Sequence, residues 1–250
     1  MEPHVRTGVA DGIATLTLDS PHNRNALSTR LVAELRQGLA DAAADERIRA
    51  VVLTHTGGTF CAGADLTEAG TDPDQRTREL IELLRALVEL PKPVVGRIDG
   101  HVRAGGMGLV GACDVVIAGP SCTFALTEAR LGLAPAVISL TVLPRLTSRA
   151  ASRYFLTGER FGPAEAEQAG LVTLAADDVD SATSAVLARL RKGSPRGLAE
   201  SKALTTESVL AGFDRSADEL AARSARLFAG DEAREGMMAF LQKRQPRWAG

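Results

Sequence analysis

Residues 98–118 read IDGHVRAGGMGLVGACDVVIA, and the architecture of the protein can be worked out from this segment. It begins at the end of an apolar strand predicted over residues 94–98 and finishes in a second buried strand over residues 115–118. Between them lie a glycine-rich turn, residues 100–108, and a short helix ending near Cys113. The same order of strand, turn, helix and strand recurs along the chain. This recurrence predicts an α/β fold of stacked ββα units rather than separate domains.

Upstream of this segment, the pattern predicts a hairpin and an amphipathic helix. Val5 to Asp19 alternates apolar and polar residues around Asp11-Gly12, which is typical of a β-hairpin with a tight turn. Ser28 is a predicted N-cap. The apolar residues that follow it at helical spacing are Leu31, Leu35 and Leu39.

Three further elements precede the glycine-rich segment. Residues 50–54 form a predicted buried strand, residues 55–70 a long active loop, and residues 77–90 an amphipathic helix that stops before Pro91. Beyond Arg149 the chain becomes helical. The helices are predicted over residues 149–156, 163–169, 181–192, 197–210 and 217–243. We expect a core over residues 1–193 and a helical region over residues 194–250, which could cover either an active site or a subunit interface.

The composition of the chain excludes several classes of protein. The chain has 250 residues, 45% of them apolar, which is enough for a sizeable core. The net charge is −2 without a long run of like charges, so neither a nucleic-acid nor a membrane partner is expected. Three widely spaced cysteines argue against a disulfide framework and favour a cytoplasmic location. No residues have metal-ligand spacing, so no metal is expected.

Two glycine-bearing segments are the candidates for chemistry: FCAGADL, residues 60–66, and residues 98–108. Small residues let a ligand approach the backbone, and free N–H groups at a helix N-terminus favour negative charge. If the two segments meet, two backbone amides could bind one oxygen, which is an oxyanion hole. The alternative is that each is only a tight turn. Neither segment has the spacing of a dinucleotide or P-loop motif.

Four segments together resemble the enoyl-CoA hydratase/isomerase (crotonase) family, and they occur in the family's order from about residue 10 to 245. Two are the glycine-bearing segments above. The others are LTGERFGPAEAEQAGLV, residues 156–172, and EGMMAFLQKRQPRW, residues 235–248. The resemblance implies a spiral of repeated ββα units, assembled as a homotrimer or hexamer, with the C-terminal helical region, residues 194–250, as the oligomerisation region. It also implies an acyl-CoA substrate and no cofactor apart from the coenzyme A of that substrate.

The resemblance assigns roles by position. Ala64 and Gly105 match the two residues whose amides form the oxyanion hole, and Glu128 matches a catalytic glutamate. Arg24 lies where the family often has a basic residue near the CoA phosphates, although a solvated loop arginine is an equal alternative. The residues implied to bind substrate or CoA are Arg24, Ala26, Ala62, Asp65, Leu66 and Thr67.

Family hydratases carry two catalytic glutamates, and this chain keeps one of them. The first position is Gly108, and the second, twenty residues later, is Glu128. Burial after a short apolar strand should raise the pKa of Glu128 and suit it to proton transfer. The alternative is a structural ion pair with Arg130 or Arg145. Loop acids such as Glu68 and Asp72 are further candidates for the missing carboxylate.

One carboxylate leaves three functions open. TEARLGLAP, residues 127–135, resembles single-glutamate 3,2-enoyl-CoA isomerases, in which one acid shuttles a proton. Ala136-Val137-Ile138-Ser139 continues a match to bacterial hydratases for branched glutaconyl-type CoA esters, and the isomerase match stops at Pro135. A hydratase is therefore the first hypothesis. An isomerase that uses Glu128 alone and a non-catalytic acyl-CoA binder are the alternatives.

Overall fold

A long strand followed by a short strand is the repeating unit of the chain. It occurs three times, and a helix completes each of the first two units, whereas a 3-10 turn completes the third. The structure is a computed structural model that describes residues 2–65, 68 and 73–250. The strands are β1 Val5–Ala10, β2 Ile13–Leu18, β3 Ala50–His55, β4 Thr59–Cys61, β5 Val94–Ile98, β6 His101–Arg103, β7 Val115–Ala118, β8 Thr123–Ala125 and β9 Leu174–Ala175.

The long strands form a six-stranded sheet in the order β1-β2-β3-β5-β7-β9. Strands β1 and β2 are the antiparallel hairpin predicted from the sequence, and the remaining pairs are parallel. Asp11 and Gly12 both have positive φ, 50° and 74°, which is the requirement of a type I′ turn. The apolar residues of β3 are buried, as expected for a central parallel strand.

The short strands form a second, three-stranded parallel sheet in the order β4-β6-β8. Thr59 pairs with His101, which pairs with Thr123, and the register of β4 against β6 shifts by one residue between Thr59 and Cys61. The predicted loop over residues 55–70 and the predicted turn over residues 100–108 were therefore partly wrong. Each contains a strand of three residues, too short to show a period in the sequence.

The helices begin and end close to the predicted positions in the first half of the chain. Ser28 caps its helix as predicted, because its side chain accepts a hydrogen bond from the Leu31 amide. The helices are α1 Thr29–Ala44, α2 Pro73–Glu89, α3 Gly105–Ala112, α4 Ser139–Val142, α5 Ser148–Thr157, α6 Pro163–Ala169, α7 Val179–Leu190, α8 Pro195–Phe228 and α9 Asp231–Leu241. A 3-10 turn spans Glu128–Leu131.

Two helices predicted near the C-terminus have the wrong boundary. Residues 197–210 and the start of the next predicted helix belong to one helix, α8, of 34 residues. Gly212 does not interrupt it, because Phe213 is buried in the core and Asp214 forms an ion pair with Arg85 of α2. The break falls at Gly230 instead, the N-cap of α9.

The large core lies between the two sheets and the helices α1, α2, α3 and α8. Phe213 and Val209 of α8 belong to this core, so the C-terminal helices pack directly on the ββα units. A smaller cluster on the other face of the six-stranded sheet is covered by α7. Among the described residues, no helix is long and apolar enough to span a membrane.

Candidate active site

The carboxyl ends of β4, β6 and β8 meet at one edge of the three-stranded sheet. This follows from the parallel register, in which Cys61 pairs with Val102 and Arg103 pairs with Ala125. Ala64 comes three residues after the end of β4, Gly105 two residues after β6 and Glu128 three residues after β8. The three residues singled out in the sequence are therefore delivered to the same edge. Ligand sites of parallel α/β sheets characteristically lie at this end of the strands.

The two glycine-bearing segments touch each other at this edge. A methyl group placed on Gly63 would lie 2.6 Å from the Ala104 Cβ and 3.5 Å from the Gly105 amide nitrogen. Gly63 has φ +94°, so a side chain here would be strained as well as crowded. Within the described part of the chain, neither the Ala64 nor the Gly105 amide donates a hydrogen bond to a protein acceptor.

The Gly105 amide is also the first amide of a helix. Gly105 begins α3, whose N-terminal N–H groups have no partner within the helix. The preceding residue, Ala104, has φ 45°, an unusual conformation for a residue with a side chain. The aligned peptide dipoles of α3 favour negative charge at this end. Two free amides beside a helix N-terminus have the chemistry of an oxyanion site.

The segment over residues 23–27 supports the first donor. Leu27 pairs with Ala64 in a parallel bridge, in which the Leu27 amide donates to the Gly63 carbonyl at 2.7 Å. The Ala62 amide donates to the Arg24 carbonyl at 3.2 Å, and the Asn23 side chain donates to the Asp65 carboxylate at 3.1 Å.

Asn25 anchors this segment and was missed in the sequence. It is fully buried with φ 52°. Its side chain accepts from the Ser20 amide at 2.7 Å and donates to the Thr56 and Thr59 carbonyls at 3.0 and 2.7 Å. An asparagine tolerates positive φ and can bond nearby backbone, but the sequence does not show which strands its amide joins.

Glu128 begins the 3-10 turn after β8, and its carboxyl group lies in a partly dry environment. The residue as a whole is half-buried, but Oε2 is shielded from solvent and has no hydrogen-bond partner among the described residues. Burial raises the pKa of Glu128 to about 7, because the charged form is poorly solvated. Glu128 is thus suited to both accepting and donating a proton near neutral pH.

The alternative of a structural ion pair for Glu128 was wrong. Arg130 donates instead to the Thr157 carbonyl at 2.9 Å. Arg145 donates to the Gly111 and Cys113 carbonyls at 3.0 and 3.3 Å. Both guanidinium groups bind backbone oxygens because these lie at the ends of helices α5 and α3.

Gly108 lies where apolar side chains have taken the space. A methyl group on Gly108 would be 2.8 Å from Ile138 Cγ2 and 3.2 Å from Leu84 Cδ1. The Thr141 hydroxyl donates to the Gly108 carbonyl at 2.9 Å, which fixes α4 against α3 at this point. A glutamate in this position would require Ile138 and Leu84 to move.

The remaining residues predicted to bind substrate or CoA differ in their exposure to solvent. Arg24 is exposed, Ala62 is half-buried, and Ala26 and Asp65 are buried. Leu66 and Thr67 lie outside the described residues, as does the loop acid Asp72. The other loop acid, Glu68, accepts hydrogen bonds from the Thr29 amide and hydroxyl at 2.9 and 3.0 Å. Its carboxylate therefore lies at the N-terminus of α1.

A small pocket opens beside Ala64. Its lining includes the apolar residues Leu27, Val32 and Leu80 and the polar residues Thr29, Arg76 and Glu79. Arg76 donates to the Asp65 carbonyl at 2.8 Å, which ties α2 to the segment of the first donor. Arg76 could not be recognised from the sequence, because one arginine among several on a polar helix face has no distinguishing pattern.

The cysteines of the chain are buried. All three are free, and burial raises the pKa of Cys61 and Cys113 to about 12, so their thiolates are disfavoured at neutral pH. The described residues contain no group of three or more His, Cys, Asp or Glu side chains that could hold a metal.

Comparison with known proteins connects this geometry to a family. The sequence model described as enoyl-CoA hydratase/isomerase matches residues 8–250. A crystal structure of an enoyl-CoA hydratase from Mycobacterium avium is 58% identical, with TM-score 0.94 over 99% of this chain and 100% of that one. The 1,2-epoxyphenylacetyl-CoA isomerase of Escherichia coli is 33% identical and covers 100% of both chains. The 2,3-dehydroadipyl-CoA hydratase of the same organism is 32% identical over 95% of each.

Proposed function

Because this chain belongs to the enoyl-CoA hydratase/isomerase family, we propose that it adds water across the 2,3-double bond of an enoyl-CoA thioester. The relatives named hydratases agree with this activity. The observation that carries the proposal is the parallel register of β4, β6 and β8, which delivers Ala64, Gly105 and Glu128 to one edge. Two amide donors and one protonatable carboxyl group are the parts that an enolate reaction needs.

The proposed reaction uses Glu128 twice. The ionised carboxylate accepts a proton from water while the water oxygen bonds to C3 of the acyl chain. The electrons of the double bond move toward the thioester oxygen, and the enolate accepts hydrogen bonds from the Ala64 and Gly105 amides. Glu128 then returns its proton to C2, the carbonyl re-forms, and the product is a 3-hydroxyacyl-CoA. A pKa of about 7 supports both transfers, because each protonation state is populated near neutral pH.

The expected CoA contacts follow the same arrangement. We propose that Ala26, Ala62, Asp65, Leu66 and Thr67 line the path of the CoA moiety, with Arg24 near its phosphates. The exposed guanidinium of Arg24 supports this role, since phosphate groups are recognised by accessible arginines. The coenzyme A belongs to the substrate, and we expect the reaction to need no further cofactor.

Mass analysis of products tests the activity directly. The protein is incubated with 2-enoyl-, 3-enoyl- and glutaconyl-type CoA esters in water labelled with heavy oxygen. A hydratase adds one labelled water to a 2-enoyl ester. Binding of esters by calorimetry without any product would identify a non-catalytic binder, and absence of CoA-ester binding would overturn the proposal altogether.

A 3,2-enoyl-CoA isomerase is the second candidate, and the Gly108 environment favours it. Family hydratases have glutamates at two positions, and in this chain only Glu128 supplies a carboxyl group. The other position is Gly108, and Ile138 and Leu84 occupy the space beside it. One carboxyl group is sufficient to move a proton between C4 and C2 of a 3-enoyl ester. In the labelling experiment, an isomerase converts the 3-enoyl ester into the 2-enoyl ester without incorporating heavy oxygen.

We also propose that copies of this chain assemble as homotrimers or hexamers through the C-terminal helices. Phe240 and Leu241 of α9 are 64% and 67% exposed, and Met238 and Trp248 are also exposed. A concentration of exposed apolar side chains is typical of a protein interface. The three free cysteines support a reducing, cytoplasmic location.

A further inference from the structure

Helix α9 packs directly on the turn that carries Glu128. A methyl group on Gly236 of α9 would lie 2.5 Å from the Leu131 carbonyl carbon and 2.7 Å from its Cα. A methyl group on Gly132 would lie 2.5 Å from the Glu232 carbonyl carbon and 2.8 Å from the Ala233 amide nitrogen. The backbones of the turn and the helix therefore touch at two points, each through a glycine.

The packing face of α9 is made of small residues. Ala233, Gly236 and Ala239 repeat at every third position and are buried, whereas Phe240 and Leu241 are exposed. Small side chains allow the helix to approach the turn as closely as the two backbones permit. Any added atom on this face must move either α9 or the turn.

The turn is a single short 3-10 element held by backbone hydrogen bonds. The Arg130 amide donates to the Thr127 carbonyl at 3.0 Å, the Gly132 amide to the Ala129 carbonyl at 3.4 Å and the Leu133 amide to the Glu128 carbonyl at 2.9 Å. Arg130 ties one side to the end of α5 through the Thr157 carbonyl. On the other side, Oε2 of the Glu128 carboxyl group has no hydrogen-bond partner among the described residues, and the one hydrogen bond that lowers the pKa of the group comes from its own backbone. Its position therefore depends on what packs against the turn.

We propose that α9 is the positioning element for Glu128, and that Gly236 and Gly132 are positioning residues that set the location of the carboxyl group through backbone contact. This inference rests on the proposed enolate chemistry for its kinetic consequence. The contact itself and its effect on Glu128 do not depend on turnover. Residues more than 100 positions away in sequence thus shape the environment of Glu128.

Gly236→Ala is the test, with Gly212→Ala as the matched control. Both replace a helical glycine by the better helix former, but nothing lies within 4 Å of a methyl group at Gly212. Because a displacement of about 1 Å can cost about 100-fold in rate, G236A should lower kcat about 10- to 100-fold with KM within about twofold of wild type. G212A should match the wild type in both parameters.

A titration separates positioning from general structural damage. The carboxyl carbon of Glu128 is followed by carbon-13 NMR and assigned with the Glu128→Gln variant. Its midpoint should move away from about 7 in G236A and stay in place in G212A. Charged residues around the turn are Arg130, Glu159 beyond α5 and Glu232 on α9, so E232Q and E159Q serve as controls for direct charge effects.

These measurements distinguish the two proposals. If the wild type turns over no CoA ester but the Glu128 midpoint moves in G236A, the positioning role stands and the proposed function fails. A G236A protein with wild-type kcat and an unmoved midpoint would overturn the positioning role. Should G236A fail to fold, native-state hydrogen exchange on the unaltered protein decides. The Leu133 amide proton should exchange in the same opening event as the amide proton of Gln242, the residue that caps α9. A Leu133 amide that stays protected after α9 has opened would refute the proposal.

Discussion

Glu128 combines a buried carboxylate oxygen with a pKa of about 7. An ion-paired structural glutamate would have a lowered pKa, so this environment suits proton transfer rather than a stabilising salt bridge. The geometry gives the single acid two amide donors at the same sheet edge.

Replacing Glu128 by glutamine keeps the shape and removes the proton carrier. We expect kcat to fall on the order of 10²–10⁴-fold, which is the usual contribution of general acid–base catalysis. Steady-state kinetics on the ester turned over by the wild type give the value. Glu159→Gln is the control, since this exposed acid pairs with Arg153. Equal turnover by E128Q and the wild type would remove Glu128 from the mechanism.

The raised pKa of Glu128 predicts opposite pH trends for activity and stability. The base must be ionised, so kcat/KM should rise with pH and level off above about 7. The protonated carboxyl stabilises the fold below its ordinary pKa of 4.5, and this contribution is lost as pH rises toward about 7. Urea unfolding between pH 4.5 and 8 should show this decline in the wild type and lack it in E128Q. A stability rise confined to the wild type would reverse the assignment.

Gly108→Glu restores the first family glutamate in the sequence, but the structure has no space for its side chain. The new side chain meets Ile138 and Leu84, and overpacking typically costs about 1–3 kcal/mol before the cost of burying a carboxyl group. Urea unfolding should show the loss, and G108E combined with Ile138→Ala should recover part of it. A G108E protein as stable as the wild type would show that the space is open.

The sequence indicated which residues could carry the chemistry, but it did not show which residues hold them in place. Ala64, Gly105 and Glu128 could be singled out because they lie in recognisable segments at fixed spacing. Asn25 and Arg76 could not, because their hydrogen bonds to Thr59 and Asp65 link segments far apart in the chain. Nothing in the letters around Gly108 showed that Ile138 and Leu84 would fill the space beside it.

Among the elements, the short strands β4, β6 and β8 do most to build the site. Each of them has three residues, which is too short for a periodic pattern to show in the sequence. The long strands and α1 could be recognised, because apolar runs and helical spacing extend over more residues. The continuity of α8 was also hidden. Gly212 resembles a break, and only the packing of Phe213 and the Arg85–Asp214 ion pair keep the helix regular.

A buried lysine of helix α8 bonds to the core. Lys202 is 5% exposed and donates to the Leu87 and Lys92 carbonyls and to the Asp114 carboxylate at 2.8, 3.1 and 2.9 Å. Asp114 in turn accepts from the Val94 amide at 2.7 Å. The ion pair therefore joins α8 to the end of α2 and the start of β5.

Lys202→Met should destabilise the protein by about 3–5 kcal/mol, because it leaves Asp114 buried without its cation. Urea unfolding measures the loss, and Lys192→Met, at an exposed lysine, is the control. Adding Asp114→Asn to K202M should recover part of the stability. Additive losses in the double variant would show that the two side chains do not interact.

For the whole molecule, the apolar side chains of α9 predict the state of assembly. Phe240→Asp places a charge in the proposed interface and should shift the protein from trimer or hexamer to smaller species in sedimentation velocity. Leu156→Asp, at an exposed leucine of α5, controls for the change in surface charge. A wild-type protein that sediments as a monomer at high concentration would contradict the assembly proposal.

The contact between α9 and the Glu128–Leu131 turn bears on biosynthesis. During translation, the residues of the two amide donors and of the acid are joined to the chain well before residues 231–241. A nascent chain that stops at Gly230 would hold all three groups yet lack the helix that packs on the turn. Turnover is then expected to begin only after the ribosome has added this helix, so that unfinished chains leave cellular thioesters untouched.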